Sequence, residues 1–594
     1  MSFLLSLVVM GVQVLISTEI LSLFNAINFY AVLLWWIVSF SCLLGIILKN
    51  NKNNKLQNIR FKYHLTCWNT KDKLFLILLV VSLLFLLLNA ILTAPNNWDG
   101  LVYHLPKVMH WIQNQNLDYY ATHIESQVSL QGFAEYIILH TFLLTGDDYF
   151  ANSVQWLSML GSLVAVSKIA QYLGASIKGQ LLVAFLLLTT PIALHQATSI
   201  QNDLVATVWV LITYLFFFKF KENFFWKWSI IIGVSMAMAL LTKSTSYIYL
   251  LPIVIYVIFL LIKNKSPKVL YAGFIISLLV ITLNIGYYVR NILLCGSIVY
   301  LHKDGVVTPV GKLLDAKVAL SNITKNVIFN FSTPFYETNH FFDNVARGTH
   351  KLLEIDINDI TTSFGAFEMI GDARLYSQDY AANPLQMLFF FIMLPLIYIF
   401  REKFSKDFFL LFFMGIAGST LVIFLLKWQP FSTRFQVPFW AIIATTFAVM
   451  ADKLLHRKAL PILILLLWTI GSHYLYYDVN LRFKEDKNIF NTQREEISAS
   501  FRGERGLLYV KLVNELAERI SKNKCLKFSL ITGNDDWEYY LWTLLHKKDL
   551  RPIIKATQVK NITATLEDKT FKPCILIQIE SDKNSFTFKE INQK

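Results

Sequence analysis

The chain has 594 residues, of which 55% are hydrophobic and only 16% are charged. An average globular protein carries about 25% charged residues, so this composition excludes a soluble multidomain enzyme and requires a bilayer as solvent. The net charge of +14, from 54 basic and 40 acidic residues, is interpreted as an excess in cytoplasmic loops, not as a nucleic-acid-binding surface.

Apolar runs of about 20 residues mark membrane-spanning helices, and the chain contains thirteen of them. In chain order, the predicted spans are 3–23, 28–48, 74–94, 151–171, 180–198, 203–219, 227–242, 245–262, 269–289, 384–400, 407–426, 434–451 and 459–477. The two spans on either side of Lys243 are also compatible with one bent helix. The predicted fold class is an α-helical polytopic membrane protein.

Lysine and arginine residues are concentrated in alternate loops, and this pattern sets the predicted orientation. The loops that hold them are 49–73, 168–178, 219–227, 263–268, 401–406 and 453–458. The positive-inside rule therefore predicts a cytoplasmic N-terminus and a C-terminus outside the membrane. The first apolar run has no preceding charge and no small-residue cleavage site, so we predict a membrane span there, not a cleaved signal peptide.

Three outward segments are too long to be simple connectors: 95–150, 290–383 and 478–594. Within the last one, 511–523 has the pattern of an amphipathic helix, and 525–533 and 574–581 have the pattern of strands. We therefore predict a transmembrane domain over 1–477 and a small extracytoplasmic α/β domain over 478–594. Cys525 and Cys574 lie where a disulfide is allowed, and the sequence leaves their pairing open.

The first outward segment contains the strongest candidate for a reactive group. Asp99 directly follows the third span, within NNWDGLVYHLP. Segments 101–114 and 130–144 are predicted to be helices on the membrane interface, because they carry aromatic residues that favour headgroup depth. An aspartate followed by Gly100 and an apolar run is also typical of a helix N-cap, so the local sequence supports both interpretations.

Isolated charges at other outward helix ends add to this candidate. Asp203 lies in SIQNDL, and Lys243, Arg290 and Arg434 lie at three further outward ends. Each cation taken alone is typical of a snorkelling anchor. Several cations and two carboxylates on one outward face together predict a cavity that binds an anion beside a base.

Six segments, in this order, carry a family resemblance: WDGLVYHLPKVMHWIQN, QGFAEYIILHTFLLTG, QNDL, LTKST, YYVRN and WQPFSTRF. Over about residues 74–450 the chain resembles the glycosyltransferase family 39 or PMT_2-type membrane glycosyltransferases, which have the GT-C fold. That family includes the protein O-mannosyltransferases and the aminoarabinose lipid A transferases. The segments GNDDWEYYLW and AANPLQMLFF are similar to segments of bacterial members.

The resemblance implies transfer of a sugar from a polyprenyl-phosphate donor to an acceptor hydroxyl outside the cytoplasmic membrane. Asp99 matches the family's acidic residue in the first outward loop, and Asp203 matches a second acidic position. We therefore expect both aspartates to be catalytic. The residues expected to bind substrate are Tyr103, His104, Glu135, Lys243, Arg290 and Arg434.

One departure from the family pattern bears on the acceptor. The protein-mannosyltransferase subgroup has a paired Asp-Glu, whereas Gly100 follows Asp99 here, and the sequence carries no MIR-type repeat domain. This weakens the case for a protein acceptor, and a glycan, a lipid and a protein hydroxyl all stay open.

A sugar linked to a lipid phosphate already has a good leaving group, so the expected mechanism is a single inverting displacement. Asp99 would act as the base, while Lys243, Arg290 and Arg434 would stabilise the leaving phosphate. A divalent metal is left open, and no ligand is assigned, because the candidate donors lack a recognised ligand spacing; they are Asp99, His104, Glu135 and His350.

Two other classes of protein compete with the glycosyltransferase. A polytopic transporter or lipid-linked-sugar flippase would also carry charges at helix ends, although such proteins usually show repeats, and none is visible here. A binding or assembly subunit with an inactive pocket is the third class.

Overall fold

The structure is a computed structural model of the chain. It describes residues 1–52, 68–223, 225–264, 266–300, 315–368, 375–456, 458–478, 488, 490–492, 494 and 503–591. The basic residues that contribute to the predicted orientation but lie outside the described residues are Lys55, Arg60, Lys62, Lys265 and Arg457. Much of the segment after the predicted domain boundary at 477/478 also lies outside them, so this boundary stays a prediction.

Long apolar helices make up most of the chain. Those before the second long outward segment are α1 (Ser2–Leu23), α2 (Phe29–Lys52), α3 (Thr70–Leu92), α4 (Leu105–Asn114), α5 (Ser126–Ser129), α6 (Phe133–Thr145), α7 (Ser153–Tyr172), α8 (Ile177–Leu188), α9 (Pro191–Gln196), α10 (Asp203–Asn223), α11 (Trp226–Thr242), α12 (Thr245–Asn264), α13 (Pro267–Leu283) and α14 (Ile285–Cys295). Those that follow are α15 (Ala316–Phe329), α16 (Tyr336–Leu353), α17 (Pro384–Ile399), α18 (Lys406–Leu425), α19 (Ser432–Phe435), α20 (Val437–Leu454), α21 (Ala459–Tyr476), α22 (Gly503–Asn523) and α23 (Glu538–His546).

Each predicted span coincides with one helix or with two consecutive helices. Within the described ranges, nine helices are long and apolar enough to cross a membrane, and α13 and α14, with a bend of 57° between them, pass the same test together as a broken span or a re-entrant loop. The other three predicted spans contain the shorter apolar helices α8, α11 and α17. The predicted class of polytopic helical membrane protein is confirmed, and crossing by these three shorter helices stays a prediction.

Local chemistry explains where several of these helices begin and break. The side chain of Asn69 accepts a hydrogen bond from the backbone N–H of Asp72 and caps α3, and Ser176 and Ser405 cap α8 and α18 in the same way. The predicted span 180–198 is interrupted before Pro191, which lacks a backbone N–H and begins α9 instead. Lys243 has an extended backbone, so α11 and α12 are two helices and not one bent helix.

The first outward segment forms the two predicted helices, in a more buried setting than the sequence suggests. A π-helix over Gly100–His104 runs directly into α4, and α6 begins at Phe133. Trp111 and Tyr136, which the sequence places at headgroup depth, are buried within the protein. The reason is tertiary packing that the local sequence cannot show. Tyr136 bonds Glu19 on α1 and Arg290 on α14, and Trp111 packs on Tyr136. The C-terminal domain packs on other residues of the segment, such as His110.

The C-terminal domain is a small α/β unit, as predicted. Its sheet has the order β2-β1-β3-β4, where β1 is parallel to both neighbours and β3 is antiparallel to β4. The strands are β1 (Lys527–Ile531), β2 (Ile553–Ala556), β3 (Ile575–Glu580) and β4 (Ser585–Glu590). The crossover from β1 to β2 contains α23, as parallel neighbours require. Cys525 and Cys574 form a disulfide in the structure, with Cα atoms 6.3 Å apart.

Candidate active site

Asp99 does not act as a helix cap. Its backbone is already α-helical, and its side chain makes no capping hydrogen bond to the helix that follows. Instead, its Oδ2 accepts a hydrogen bond of 2.7 Å from Nη1 of Arg434, a residue 335 positions away in the chain. The capping interpretation is therefore wrong for this structure, and the carboxylate belongs to a tertiary cluster.

Arg434 lies at the centre of this cluster. It belongs to the short helix α19, which precedes α20, and only 9% of its side chain is exposed. Besides Asp99, its Nη1 donates to Oε1 of Gln201 and lies 3.9 Å from Oδ1 of Asp379. Gln201 in turn donates to Asp379 over 2.7 Å. The Arg434 guanidinium thus connects three parts of the chain: the first long outward segment through Asp99, the end of the second long outward segment through Asp379, and the turn before α10 through Gln201.

A second ion pair lies beside Arg434. Nζ of Lys243 donates to Oδ1 of Asp203 over 2.5 Å, and the Asp203 side chain is almost completely buried. The same ammonium group lies 5.2 Å from the ring centre of Phe435, the residue that follows Arg434. The structure therefore brings together four residues that the sequence singles out at four separate helix ends. Their catalytic and binding roles stay predictions.

The electrostatic environment keeps Asp99 ionised. Burial by itself would raise its pKa, but the positive charge of Arg434, helped by His104 and by a hydrogen bond from Tyr103, lowers the pKa below the usual aspartate value. Burial raises the pKa of Tyr103 well above its ordinary value, so its hydroxyl stays a hydrogen-bond donor. An unprotonated carboxylate is the form that can accept a proton.

Several polar atoms in this region are buried without a partner in the described protein. They are Oδ2 of Asp203, Nε of Arg434 and Oε2 of Glu135. Buried polar atoms are nearly always hydrogen-bonded, because leaving one unpaired costs about 1–3 kcal/mol. Two acceptors and one donor that lack protein partners therefore favour a site that takes a polar ligand.

His104 and Glu135 form a separate buried group next to this cluster. Nδ1 of His104 lies 2.6 Å from Oε1 of Glu135, and Nζ of Lys107 lies 3.7 Å from the same oxygen. Lys107 also donates to the backbone carbonyl of Leu130 over 2.9 Å. This group connects the π-helix with α6 behind Asp99, so in this structure it positions the Asp99 loop and does not contact Arg434.

Arg290 is not part of the cluster around Arg434. Its two terminal nitrogens donate to both carboxylate oxygens of Glu19, over 2.9 and 2.8 Å, and one of them also donates to the hydroxyl of Tyr136. Gly286, one turn earlier, leaves room for the Glu19 carboxylate, which a Cβ there would approach to 2.3 Å. Within the described residues this fork joins α14, α1 and α6, and the structure does not bring it to Arg434.

The four candidate metal donors are not gathered into one place. His104 is bonded to Glu135, Asp99 to Arg434, and Nε2 of His350 lies 2.9 Å from the hydroxyl of Ser321. Over the described part of the chain, no three His, Cys, Asp or Glu side chains are arranged to hold a metal ion. No metal ligand is assigned.

Gly100 has a steric reason to be glycine. A Cβ at this position would lie 2.1 Å from Cδ1 of Ile200 and 2.5 Å from Oδ1 of Asn97. The second acid that protein-mannosyltransferase relatives carry here would therefore need this part of the loop to move. The departure noted in the sequence reflects the packing of the loop against the turn that contains Ile200.

The C-terminal domain holds the Asp99 loop in place. Nε1 of Trp98 donates to Oδ1 of Asp535 over 2.7 Å, and the guanidinium of Arg505 lies 4.7 Å from the Trp98 ring and 4.6 Å from that of Trp537. Deeper in the interface, the Glu538 carboxylate lies 2.7 Å from Nε2 of His110 and accepts hydrogen bonds from the side chains of Gln127 and Trp542. Its partners hold its pKa below the usual glutamate value despite burial.

Removing the Glu538 carboxylate should weaken the attachment of this domain. Glu538→Ala leaves His110 and Gln127 without their buried acceptor, so we expect a loss of about 2 kcal/mol or more in the free energy of unfolding. The measurement is thermal unfolding of the purified protein. The matched control is Glu580→Gln in the same domain. Glu580 pairs with the exposed Lys583 and accepts a hydrogen bond from Gln578 at the surface, so this change should affect stability little. Equal effects of the two substitutions would contradict this role of Glu538.

Sequence reasoning missed Gln201 and Asp379, both of which contact Arg434. Gln201 is the first residue of the QNDL segment, two positions before the candidate Asp203. Its side-chain amide is uncharged, so a search for isolated charges does not find it. Asp379 is held in place because the preceding loop is fixed by His195, whose Nε2 lies 2.9 Å from the carbonyl oxygen of Leu375. The other ring nitrogen of His195 contacts Asp478, after α21. Only the tertiary structure reveals this arrangement.

One family model matches part of the chain. Residues 133–287 match PMT_2, described as dolichyl-phosphate-mannose-protein mannosyltransferase. This segment contains Glu135, Asp203, Lys243 and Gly286, and it excludes Asp99 and Arg434. The resemblance to PMT_2-type glycosyltransferases is confirmed over this segment.

Solved structures of two membrane glycosyltransferases are similar to the chain. ArnT from Cupriavidus metallidurans, bound to undecaprenyl phosphate, matches with 10% identity and a TM-score of 0.49, over 85% of this chain and 92% of that one. The archaeal oligosaccharyltransferase AglB from Archaeoglobus fulgidus, in complex with an inhibitory peptide and a dolichol-phosphate, matches with 10% identity and a TM-score of 0.44, over 84% and 69%. Among curated proteins, none matches this chain by sequence.

Proposed function

We propose that this protein is a membrane glycosyltransferase that moves a sugar from a polyprenyl-phosphate donor to an acceptor hydroxyl on the extracytoplasmic side. The observation that supports this proposal best is the cluster in which Arg434 bonds Asp99 beside the Lys243–Asp203 pair. The family whose model matches residues 133–287 is described by a dolichyl-phosphate-linked sugar donor, which is chemistry of this class.

The leaving phosphate is proposed to bind at the cations of the cluster. Arg434 has a buried Nε without a protein partner, and Lys243 sits beside it with its side chain 16% exposed. A phosphate group offers several acceptor oxygens, which suit a guanidinium fork and a neighbouring ammonium. Charge that develops on the phosphate as the sugar leaves would be stabilised by these two groups.

Asp99 is proposed as the general base. The acceptor oxygen forms a bond to the anomeric carbon, its proton passes to the Asp99 carboxylate, and the bond from that carbon to the phosphate oxygen breaks with its electron pair going to the phosphate. One displacement with the base on the opposite ring face inverts the anomeric configuration. Asp203, buried and paired with Lys243, is proposed to hold that cation in position.

The Asp99–Arg434 pair couples binding of the donor phosphate to proton transfer from the acceptor. While Arg434 bonds Asp99, it keeps the carboxylate ionised but also makes it a weak base. A phosphate that takes up part of the Arg434 charge would raise the pKa of Asp99 and so strengthen it as a base. Donor binding would then prepare the carboxylate for proton transfer at the step that needs it.

Transfer and transport can be distinguished by following a labelled donor. Purified protein in lipid nanodiscs would be incubated with polyprenyl-phosphate sugars labelled in the sugar, together with glycan, lipid A and peptide acceptors. Glycosyl transfer releases polyprenyl phosphate and labels the acceptor. A transporter or flippase instead moves the intact lipid across the bilayer of proteoliposomes without breaking the sugar–phosphate bond, and that result would overturn the proposal.

The proposed orientation places the N-terminus in the cytoplasm and the C-terminus outside. It is tested by single cysteines at two exposed lysines on either side of α17, Lys403→Cys and Lys351→Cys, in a background without the native free cysteines. A membrane-impermeant maleimide added to intact cells should label position 351 and spare position 403 until the membrane is opened. The reverse pattern would contradict this orientation and the outward location of Asp99.

A further inference from the structure

Helix α16, in the second long outward segment, turns its polar face towards the protein. Asn339, Asp343, Ala346 and His350 are buried, and their spacing puts them on one side of the helix. Protein groups bind this side. Asn339 exchanges hydrogen bonds of 2.8 Å with the backbone of Thr333, and His350 contacts Ser321 on α15. Asp343 accepts a hydrogen bond of 2.6 Å from Nε of the half-exposed Arg347 on the same helix. A helix on the core of a soluble protein buries its apolar side, whereas α16 buries a mainly polar one.

The opposite side of α16 is apolar and exposed. Phe341, Val345 and Leu352 are 62%, 42% and 87% exposed, and they follow one another along a single stripe. Arg347 and Lys351 flank this stripe on one edge. Three large apolar side chains exposed on one helix face, with basic residues beside them, are typical of a helix that lies on a membrane surface.

An aromatic stack links this helix to α17 through Phe331. The ring of Phe342 stacks on Phe331 with centres 4.9 Å apart, and Phe331 stacks on Phe391 with centres 5.9 Å apart. Phe391 lies seven residues into α17, which corresponds to about 10 Å along the helix axis. Leu388 and Ile392 of α17 are exposed beside it, as expected for a lipid-facing surface.

We propose that α16 is an interfacial anchor whose stripe of Phe341, Val345 and Leu352 inserts among the acyl chains of the outer membrane leaflet. The basic edge formed by Arg347 and Lys351 then meets the lipid phosphates. Lipid is favoured over a protein partner because the Phe342–Phe331–Phe391 stack joins this helix to the exposed face of α17, which a bilayer must cover. The second long outward segment, 290–383, contains both α16 and Asp379, so the anchor would attach this segment to the bilayer near its middle.

The anchor is tested with an environment-sensitive fluorophore on single cysteines. Phe341→Cys and Leu352→Cys carry the label on the stripe, and Lys351→Cys carries it on the basic edge, with Cys42, Cys67 and Cys295 replaced by serine. In nanodiscs made with brominated phosphatidylcholine, the two stripe positions should lose at least about twofold more fluorescence than position 351. Their emission should also shift to the blue, while aqueous iodide quenches position 351 more strongly.

Two outcomes would overturn the anchor. If iodide quenches the stripe positions as strongly as position 351, the stripe faces water. If neither iodide nor brominated lipid quenches the stripe positions, another protein or a second copy of the chain covers them. Folding of each labelled variant is checked by thermal unfolding, and Thr349→Cys, on the half-buried flank of the same helix, serves as a second labelled position.

Discussion

Replacing Asp99 with asparagine is expected to lower turnover by roughly 10²-fold or more, because the acceptor hydroxyl loses its proton acceptor. Asparagine has nearly the same size, and its Oδ1 can still accept the hydrogen bond from Arg434. Donor affinity and thermal stability should therefore change little. The measurement is single-turnover release of polyprenyl phosphate, made beside the donor Kd for the same preparation.

The matched control for this substitution is Asp535→Asn. Burial raises the pKa of Asp535, and the negative charge of Asp99 adds to this effect, so the two carboxylates are neighbours. The hydrogen-bond partner of the Asp535 side chain, however, is Trp98 and not Arg434. It should keep turnover within a few-fold of the parent. Parent-like turnover in Asp99→Asn would show that Asp99 serves only to hold Arg434, and the base would have to be sought elsewhere.

Much of the membrane part could be predicted from the sequence, because the bilayer imposes its requirement on each segment separately. A span must be apolar over about 20 residues whatever it packs against, so the run of 74–94 identifies α3 without knowledge of its neighbours. A second local pattern identifies the strand around Ile575–Glu580. Its side chains alternate between buried and half-buried, as expected for a sheet covered on one face.

The partners of the charged residues could not be predicted in this way. Arg290 and Arg434 look alike in sequence, since each is an isolated cation at an outward helix end. Their difference lies in Glu19, which is 271 residues from Arg290 and sits in the middle of an apolar run. Pairing across such a distance depends on how α1, α6 and α14 pack, and hydrophobic periodicity contains no information about that packing.

The same reasoning applies to the C-terminal domain. Its helix and strands have local patterns, but Glu538 and Asp535 read as ordinary surface acids in the sequence. Their roles follow from the docking of the domain on α4 and on Trp98, which lies beside Asp99. Gly100, the first residue of the π-helix, depends on another tertiary contact, because Ile200 occupies the space that a side chain at position 100 would need.

Arg434→Lys is expected to weaken binding of polyprenyl phosphate by roughly tenfold or more, since a hydrogen bond to a charged group contributes about 1.5–3 kcal/mol. Lysine keeps the charge but loses the planar fork. Nη1 of Arg434 lies beside Asp99, Gln201 and Asp379, and the remaining donors of the fork are the ones proposed to bind the phosphate. Arg290→Lys is the matched comparison, because it makes the same chemical change at the other buried arginine. Affinity is measured with polyprenyl phosphate titrated into each nanodisc-reconstituted variant.

Arg290→Lys should leave this affinity unchanged and lower the midpoint of thermal unfolding instead. Both terminal nitrogens of Arg290 already bond Glu19, so a phosphate at this arginine would have to compete with that carboxylate. From the sequence, both arginines are predicted to bind the phosphate. From the structure, we expect only the change at Arg434 to lower the affinity for polyprenyl phosphate. Equal loss of affinity in both variants would mean that the Glu19 pair opens on donor binding. Unchanged affinity in both would remove Arg434 from the phosphate site, leaving Lys243 as the remaining cation of the cluster to test.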